Sequence, residues 1–279
     1  MLPSLMKFNL ETVVLQVTTR CPYNCPQCYM KRGDRDMPID VAKGIIDDSV
    51  RMGAGAVQIT GGEPMIYPHI FELIEYANRR GLYSLLATSG YNCSDETYAR
   101  LKAKGLTAMC VSINGISEEV NGKSRSSFDE ALRAIKIMHR YDALCFINVV
   151  VTDDNIDELE VLGEYARRNN VYGVNILYPI PSEDGAYVPS FSHDTLLKLV
   201  EITHRDPDFY NVERCHREYW SFVNSNKFTC RDIGKTTFFV NVDGTVSPCS
   251  KMTKHKYSSL TEMFERFDDW EGGCYDTKQ

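Results

Sequence analysis

TVVLQVTTRCPYNCPQCY, residues 12–29, joins an apolar run, Thr12 to Thr19, directly to Cys21, Cys25 and Cys28 in a C-x3-C-x2-C pattern. The run reads as a strand. Three soft thiolates this close together suit a redox metal centre, and a three-thiolate set leaves one coordination position unfilled. A [4Fe-4S] cluster held this way presents one iron to an outside ligand, and the chemistry is expected at that iron. Structural zinc usually takes four protein ligands from paired C-x2-C knuckles, but the next cysteine here is Cys93 and the first histidine is His69.

Size and composition narrow the remaining classes. With 279 residues and 43% hydrophobic composition the chain can bury a large core, compatible with one α/β barrel-like domain and a small appendage. Disulfide frameworks belong to small secreted chains, and no secretory signal precedes the first strand. Ten cysteines therefore imply a reducing, cytoplasmic setting. A net charge of −7 gives no basic face for nucleic acid, and the longest apolar runs, such as Phe146 to Val151, fall far short of a membrane span.

Outward from residue 19 the pattern alternates. Helical spacing over Ile39 to Met52 is followed by a strand at Ala56–Thr60, a helix at Ile70–Arg80 and a strand at Tyr83–Thr88. Helix Asp95–Lys104, strand Ala108–Ile113, helix Phe128–Tyr141, strand Leu144–Val151, helix Ile156–Arg168 and strand Gly173–Tyr178 continue it. Such β/α units predict a parallel sheet wound in one hand, with its site at the carboxyl ends of the strands. The cysteine loop follows strand one, and Gly61-Gly62-Glu63-Pro64 follows strand two. Ser89-Gly90 follows strand three, while Ser112 and Asn114 close strand four. A Gly-Gly-Glu-Pro turn alone would be an ordinary loop. Several independent loops converging on one mouth are harder to explain as packing.

Taken together and in this order, Cys21-x3-Cys25-x2-Cys28, Gly61-Gly62-Glu63-Pro64 and Ser112-Ile113-Asn114-Gly115 resemble the radical S-adenosylmethionine (SAM) enzymes over residues 12 to about 178. The resemblance implies a partial (β/α)6 barrel whose [4Fe-4S] cluster binds the amino and carboxylate groups of SAM at its open iron. An electron from the cluster then cleaves SAM to a 5′-deoxyadenosyl radical that abstracts a substrate hydrogen. By the same resemblance Glu63 and the Gly61, Gly62 and Pro64 backbone meet the SAM amino group, and Ser112 and Asn114 the ribose hydroxyls. Ser89 stands where relatives often carry Asn in a Thr-Asn-Gly triplet. Arg125 keeps the arginine of a His-Asp-x-x-Arg-Gly stretch whose first pair is here Asn121 and Gly122; it is either a carboxylate partner or a solvated loop arginine. Gln27 replaces an aromatic residue or histidine, and Tyr29 is a candidate to supply the packing instead.

The tail, expected as a module over residues 206–279 behind a core of residues 1–205, carries a second cysteine pattern. Cys230-x13-Gly244-x4-Cys249, with strands Thr237–Val242 and Thr245–Ser247 about an Asp-Gly turn, resembles the opening of SPASM and twitch domains. These bind auxiliary iron-sulfur clusters, and a twitch-like module with one cluster suits a tail this short. Cys274, after a helix at Leu260–Trp270, is a third ligand or an ordinary thiol. Cys215 is a fourth ligand, a hydrogen-atom donor to a substrate radical, or a buried hydrophobe. Cys93, Cys110 and Cys145 read as packing residues, and the six histidines show no metal spacing.

The resemblance leads us to expect a small ribosomal peptide as substrate, with an amino sugar or cofactor precursor as the alternative and a non-enzymatic electron carrier or sensor as the reading of another class. A flavodoxin- or ferredoxin-type reductant is implied. Peptide-modifying relatives often begin with a leader-binding domain, but strand one lies near residue 12. A separate leader-binding protein or the barrel itself is expected to hold a leader.

Overall fold

A computed structural model describes residues 10–177, 179–180, 186–212, 236–250 and 255–266. In β1 (Thr12–Gln16), Val13 and Leu15 are fully buried while Val14 between them is half-exposed. That alternation recurs in β2 (Ala56–Thr60) and β3 (Tyr83–Thr88), because successive side chains of a strand point to opposite faces. The register runs Val13↔Val57 and Val57↔Ser84, so buried residues line up on one face. On that face α1 (Ile39–Arg51), α2 (Ile70–Arg79), α3 (Asp95–Ala103), α5 (Phe128–Arg140) and α6 (Leu159–Arg168) contribute Ile46, Leu73, Leu101, Ile135 and Leu162 to one core cluster. Each helix buries an apolar stripe and turns its charges outward.

The parallel sheet continues through β4 (Ala108–Ser112), β5 (Cys145–Val150) and β6 (Gly173–Leu177). The α/β alternation and the parallel sheet of a partial barrel are therefore present. Two strands extend it at opposite edges. After α7 (His193–Arg205), β7 (Tyr210–Val212) pairs parallel with β6. At the other edge β8 (Thr237–Val240) pairs parallel with β1 and antiparallel with β9 (Val246–Ser247). The order is β7-β6-β5-β4-β3-β2-β1-β8-β9, an open sheet rather than a closed barrel. Strands on both sides of residue 205 thus share one sheet.

Several local differences from the expected elements have physical causes. Residues 156–168 divide into a 3-10 turn, Ile156–Glu158, and α6, and the Glu158 carboxylate at the junction accepts from Ile116 N, at 2.7 Å, and Ser117 Oγ, at 2.6 Å. An extra short helix, α4 (Glu118–Gly122), is capped by Ser117, whose hydroxyl accepts from Val120 N. The hairpin turns at Gly244, whose φ of +83° suits glycine. A last helix spans Leu260–Arg266.

The opposite, inner face of the sheet is chemically distinct. Ala108, Cys110 and Phe239 are buried yet lie outside the helix-side core cluster, and Val14, Leu85, Val150 and Leu177 on the same face are half-exposed. Cys93 and Cys145, by contrast, pack in the core cluster. Among the described residues no helix is long and apolar enough to cross a membrane.

Candidate active site

The cysteine loop leaves β1 through Thr18, Thr19 and Arg20, and a set of hydrogen bonds holds its first residues. Arg20 grips Asp36 in a bidentate pair, Nε to Oδ1 at 3.0 Å and Nη2 to Oδ2 at 2.7 Å. The same guanidinium donates to Ile66 O at 3.0 Å, beyond the Gly61–Pro64 turn. Thr18 Oγ1 donates to Asp36 Oδ1 at 2.6 Å and accepts from Arg20 N at 3.0 Å. Sequence reading missed Thr18, Arg20 and Asp36; the available signal was an arginine placed immediately before the first cysteine.

Gly61 and Gly62 let the second loop lie against the first. A Cβ on Gly62 would stand 2.2 Å from Arg20 O and 3.0 Å from Cys21 Cβ, and one on Gly61 would stand 2.8 Å from Thr18 O. In the space this leaves, Gly62 N donates to Thr18 O at 2.8 Å and Glu63 N to Arg20 O at 2.9 Å. The two loops are zipped backbone to backbone.

Glu63 is only 1% exposed. Its carboxylate accepts from Met65 N at 3.0 Å, Thr88 Oγ1 at 2.7 Å and Ser89 N at 2.9 Å, and from Ser89 Oγ. Burial pushes its pKa up, with these four donors opposing. Ser89 therefore spends its hydroxyl on Glu63. Pro64 opens a 3-10 turn, Pro64–Ile66, that begins at Glu63.

Asn114, likewise 1% exposed, is the pivot of a third group. Its Oδ1 accepts from Arg125 Nε at 3.1 Å and from Val150 N at 3.0 Å, and its Nδ2 donates to Ser124 Oγ at 2.7 Å. Gln27 enters the same knot from the cysteine loop. With its amide oxygen turned toward Arg125, it accepts from Nε at 3.0 Å, from Nη2 at 3.1 Å and from Asn114 Nδ2 at 3.0 Å. Asn121, standing where the resemblance expects one of a His-Asp pair, accepts from Asn114 N through Oδ1 at 2.9 Å. A Cβ on Gly115 would meet Glu158 Oε2 at 2.7 Å and Val120 Cγ1 at 2.8 Å, so glycine lets these side chains close over the turn. Asn114 is thus engaged by the protein itself, while Ser112 remains half-buried on the inner face.

The donor set fits an iron-sulfur cluster. Cys21, Cys25 and Cys28 are free and partly exposed. Burial, helped by Glu63 and the other two thiolates, pushes Cys21 up to about 11, a cost that binding to iron would reverse. Arg125 answers with positive charge: burial pulls its pKa down, and Cys25, Cys28, Cys21 and Glu63 pull it back up. Among the described residues no three His, Cys, Asp or Glu side chains are placed to share a single ion. A cubane takes each thiolate on a separate iron and so spaces them more widely than one zinc would.

Of the tail cysteines, Cys249 is half-buried just after β9. Cys215, Cys230 and Cys274 lie outside the described residues. The hairpin is moored beside the site, since Val242 N donates to Gln16 Oε1 at 3.2 Å and Gln16 Nε2 contacts Met30 Sδ at 3.6 Å.

Residues 15–166 match the radical SAM superfamily model, and the chain belongs to that superfamily. That superfamily is one of enzymes built on a [4Fe-4S] cluster and SAM. The chain is 27% identical over 180 residues to an AdoMet-dependent heme synthase of Methanosarcina barkeri, covering 62% of this chain and 52% of that protein. It is 33% identical over 190 residues to the mycofactocin maturase MftC of Mycolicibacterium smegmatis, covering 64% and 47%. The chain spans about half the length of these curated relatives. Streptococcus suis SuiB shares the fold, with a TM-score of 0.75 at 16% identity over 96% of this chain and 68% of that one. SuiB bound to its precursor peptide SuiA matches with a TM-score of 0.73 at 16% identity, over 88% and 61%.

Proposed function

We propose that this enzyme modifies a ribosomally made peptide by epimerisation, crosslinking or dehydrogenation. The observation that carries the proposal is the 33% identity to a protein named as a maturase. The fold shared with SuiB, a structure of which holds a precursor peptide, supports it. When bound, the cluster supplies the electron that cleaves SAM to methionine and the radical that takes a hydrogen atom from the substrate. The chain's own residues place the reactants. Cys21, Cys25 and Cys28 hold the cluster, and Arg125 faces the SAM carboxylate from its anchor on Asn114 and Gln27. Glu63 and the Gly61–Pro64 backbone receive the amino group, with Ser89 holding Glu63, and Ser112 meets the ribose. Asn114 sets the positions of Gln27 and Arg125 in place of a ribose contact.

Residues 206–279 form, in this proposal, a twitch-like module with an auxiliary cluster on Cys230, Cys249 and Cys274. Cys215 serves there as a ligand or as a hydrogen-atom donor; deuterium uptake at the product α-carbon in heavy water that survives Cys215→Ala rules out the donor role. A cytoplasmic flavodoxin- or ferredoxin-type reductant supplies the electron, and a separate protein or the barrel holds any leader. The relation to a heme synthase favours a second reading, a cofactor precursor as substrate.

The test is anaerobic reconstitution, dithionite reduction and addition of SAM, followed by assay for 5′-deoxyadenosine. A fully loaded protein that makes none, and whose reduced spin-resonance spectrum ignores SAM, defeats the enzyme assignment. Mass change in a candidate precursor peptide, against none in porphyrin precursors, decides between the two substrate readings.

A further inference from the structure

The seven parallel strands β1–β7 contain no Asp, Glu, Lys, Arg or His. On the helix side this is ordinary, because that face is core. On the inner face it is informative, because that wall is half-exposed and is left uncharged. Across the wall runs a ladder of amides. Asn148, Asn175 and Asn211 are register partners on β5, β6 and β7. Asn175 Nδ2 donates to Asn148 Oδ1 at 2.8 Å, and Asn211 Nδ2 donates to Asn175 Oδ1 at 3.2 Å. Gly173 leaves room for the far end, since a Cβ there would stand 2.8 Å from Asn211 Nδ2.

Each amide carries two donors and an acceptor, so a chain of three leaves groups over. Among the described residues Asn148 Nδ2 donates to no protein acceptor, and Asn211 Oδ1 accepts from no protein donor. Asn148 is only 7% exposed, so its free donor belongs to a largely buried residue. The ladder thus offers a donor at one end and an acceptor at the other, the complement of a peptide unit's C=O and N–H. Its buried end lies toward the reaction centre. Two residues beyond Asn148, Val150 N is bound to Asn114, which also holds Arg125 beside the cysteines.

We propose that the Asn148–Asn175–Asn211 ladder binds an uncharged, amide-bearing stretch of the substrate peptide and fixes which part of it faces the radical. The inference rests on the peptide reading above and deepens it. Neutral amides exchange hydrogen bonds with the ladder at little net cost, whereas an ammonium or carboxylate entering against this wall would lose its hydration with no counter-charge on the strands. An amino sugar is therefore disfavoured as a substrate.

The experiment uses the full chain with its cluster reconstituted, SAM, and blocked peptide pools carrying an uncharged dansyl label, one wholly neutral and others with a single Lys or Asp. Binding is read by fluorescence anisotropy, and hydrogen abstraction by deuterium transferred from deuterated peptides to 5′-deoxyadenosine. The neutral pool is expected to bind best. Asn175→Leu and Asn211→Ala should weaken it about tenfold, the scale of one to two amide hydrogen bonds. Asn175→Asp should shift preference toward the Lys pool. Substrate-free SAM cleavage and the effect of SAM on the reduced spectrum stay at wild-type levels in all three variants, which shows the fold and cluster intact. Unchanged neutral-pool binding in both Asn175→Leu and Asn211→Ala overturns the ladder while leaving the peptide reading standing. If no pool binds or transfers deuterium to the wild-type enzyme, the peptide reading fails and the ladder's assignment falls with it.

Discussion

Replacing Gly62 with Ala puts a carbon 2.2 Å from Arg20 O and 2.7 Å from Arg20 C, both backbone atoms that no rotamer change can move aside. Gly62 does not occupy the left-handed region, so its requirement is space alone. Either the Gly62 N–Thr18 O bond or the Glu63 N–Arg20 O bond must lengthen as the loops part. Overpacking of about 1–3 kcal/mol together with one lost backbone hydrogen bond of about 1 kcal/mol gives a destabilisation of roughly 2–4 kcal/mol. For a domain of this size that lowers the melting temperature by roughly 4–16 °C. Parting the loops also displaces Cys21, so iron and sulfide per chain after anaerobic reconstitution should fall with the melting temperature. Gly44→Ala in α1 is the matched control, because nothing lies within 4 Å of its Cβ position. That change should stabilise by about 0.5–1 kcal/mol through helix propensity. A Gly62→Ala protein that melts like wild type and loads full iron would refute the account of the paired glycines.

Asn114→Ala frees Arg125 Nε, Ser124 Oγ, Val150 N and Gln27 from one buried partner, and is expected to cost about 2–3 kcal/mol in urea denaturation. It should also alter the spin-resonance shift that SAM produces in the reduced cluster, whereas a purely structural role would leave that shift intact. Burial raises the Asp153 carboxyl, but bonds from Ser190, Ser192 and Thr195 outweigh it and bring the group from 3.8 to about 2. A depressed carboxyl stabilises the fold above its ordinary range and loses that contribution as pH falls through the folded value. Denaturation midpoints of cluster-free protein should therefore drop more steeply between pH 4 and 2 in wild type than in Asp153→Asn. Replacing Cys21, Cys25 and Cys28 together with Ala should abolish 5′-deoxyadenosine yet leave iron and sulfide in the tail; a triple variant stripped of all iron sinks the auxiliary-cluster proposal.

Much of the core was legible because periodicity and strand ends are local signals. The β2 strand and the starts of α1, α2, α3, α5, β3 and β6 stand at the residues where the pattern places them. The loops after β1, β2, β3 and β4 do come together, as Gly62 on Arg20, Ser89 on Glu63 and Gln27 at Asn114 show. Harder to read were β7 and the parallel pairing of β8 with β1. Strands of three and four residues carry little periodic signal, and the parallel partner of β8 lies more than two hundred residues away in sequence. Gln27 looked like a departure from a motif, but in space its amide meets Arg125 and Asn114.

The sequence by itself determined the donor chemistry, the order of the β/α units and the family, since each depends on residue type and short-range spacing. Only the tertiary structure decided what the polar side chains do. Asn114 turned inward to the protein, Ser89 was spent on Glu63, and three asparagines from separate strands became one ladder. Hydrogen bonds saturate, so which partner a side chain takes depends on which loops arrive within about 3 Å of it. That arrival is set by the register and twist of a sheet whose contacts span most of the chain.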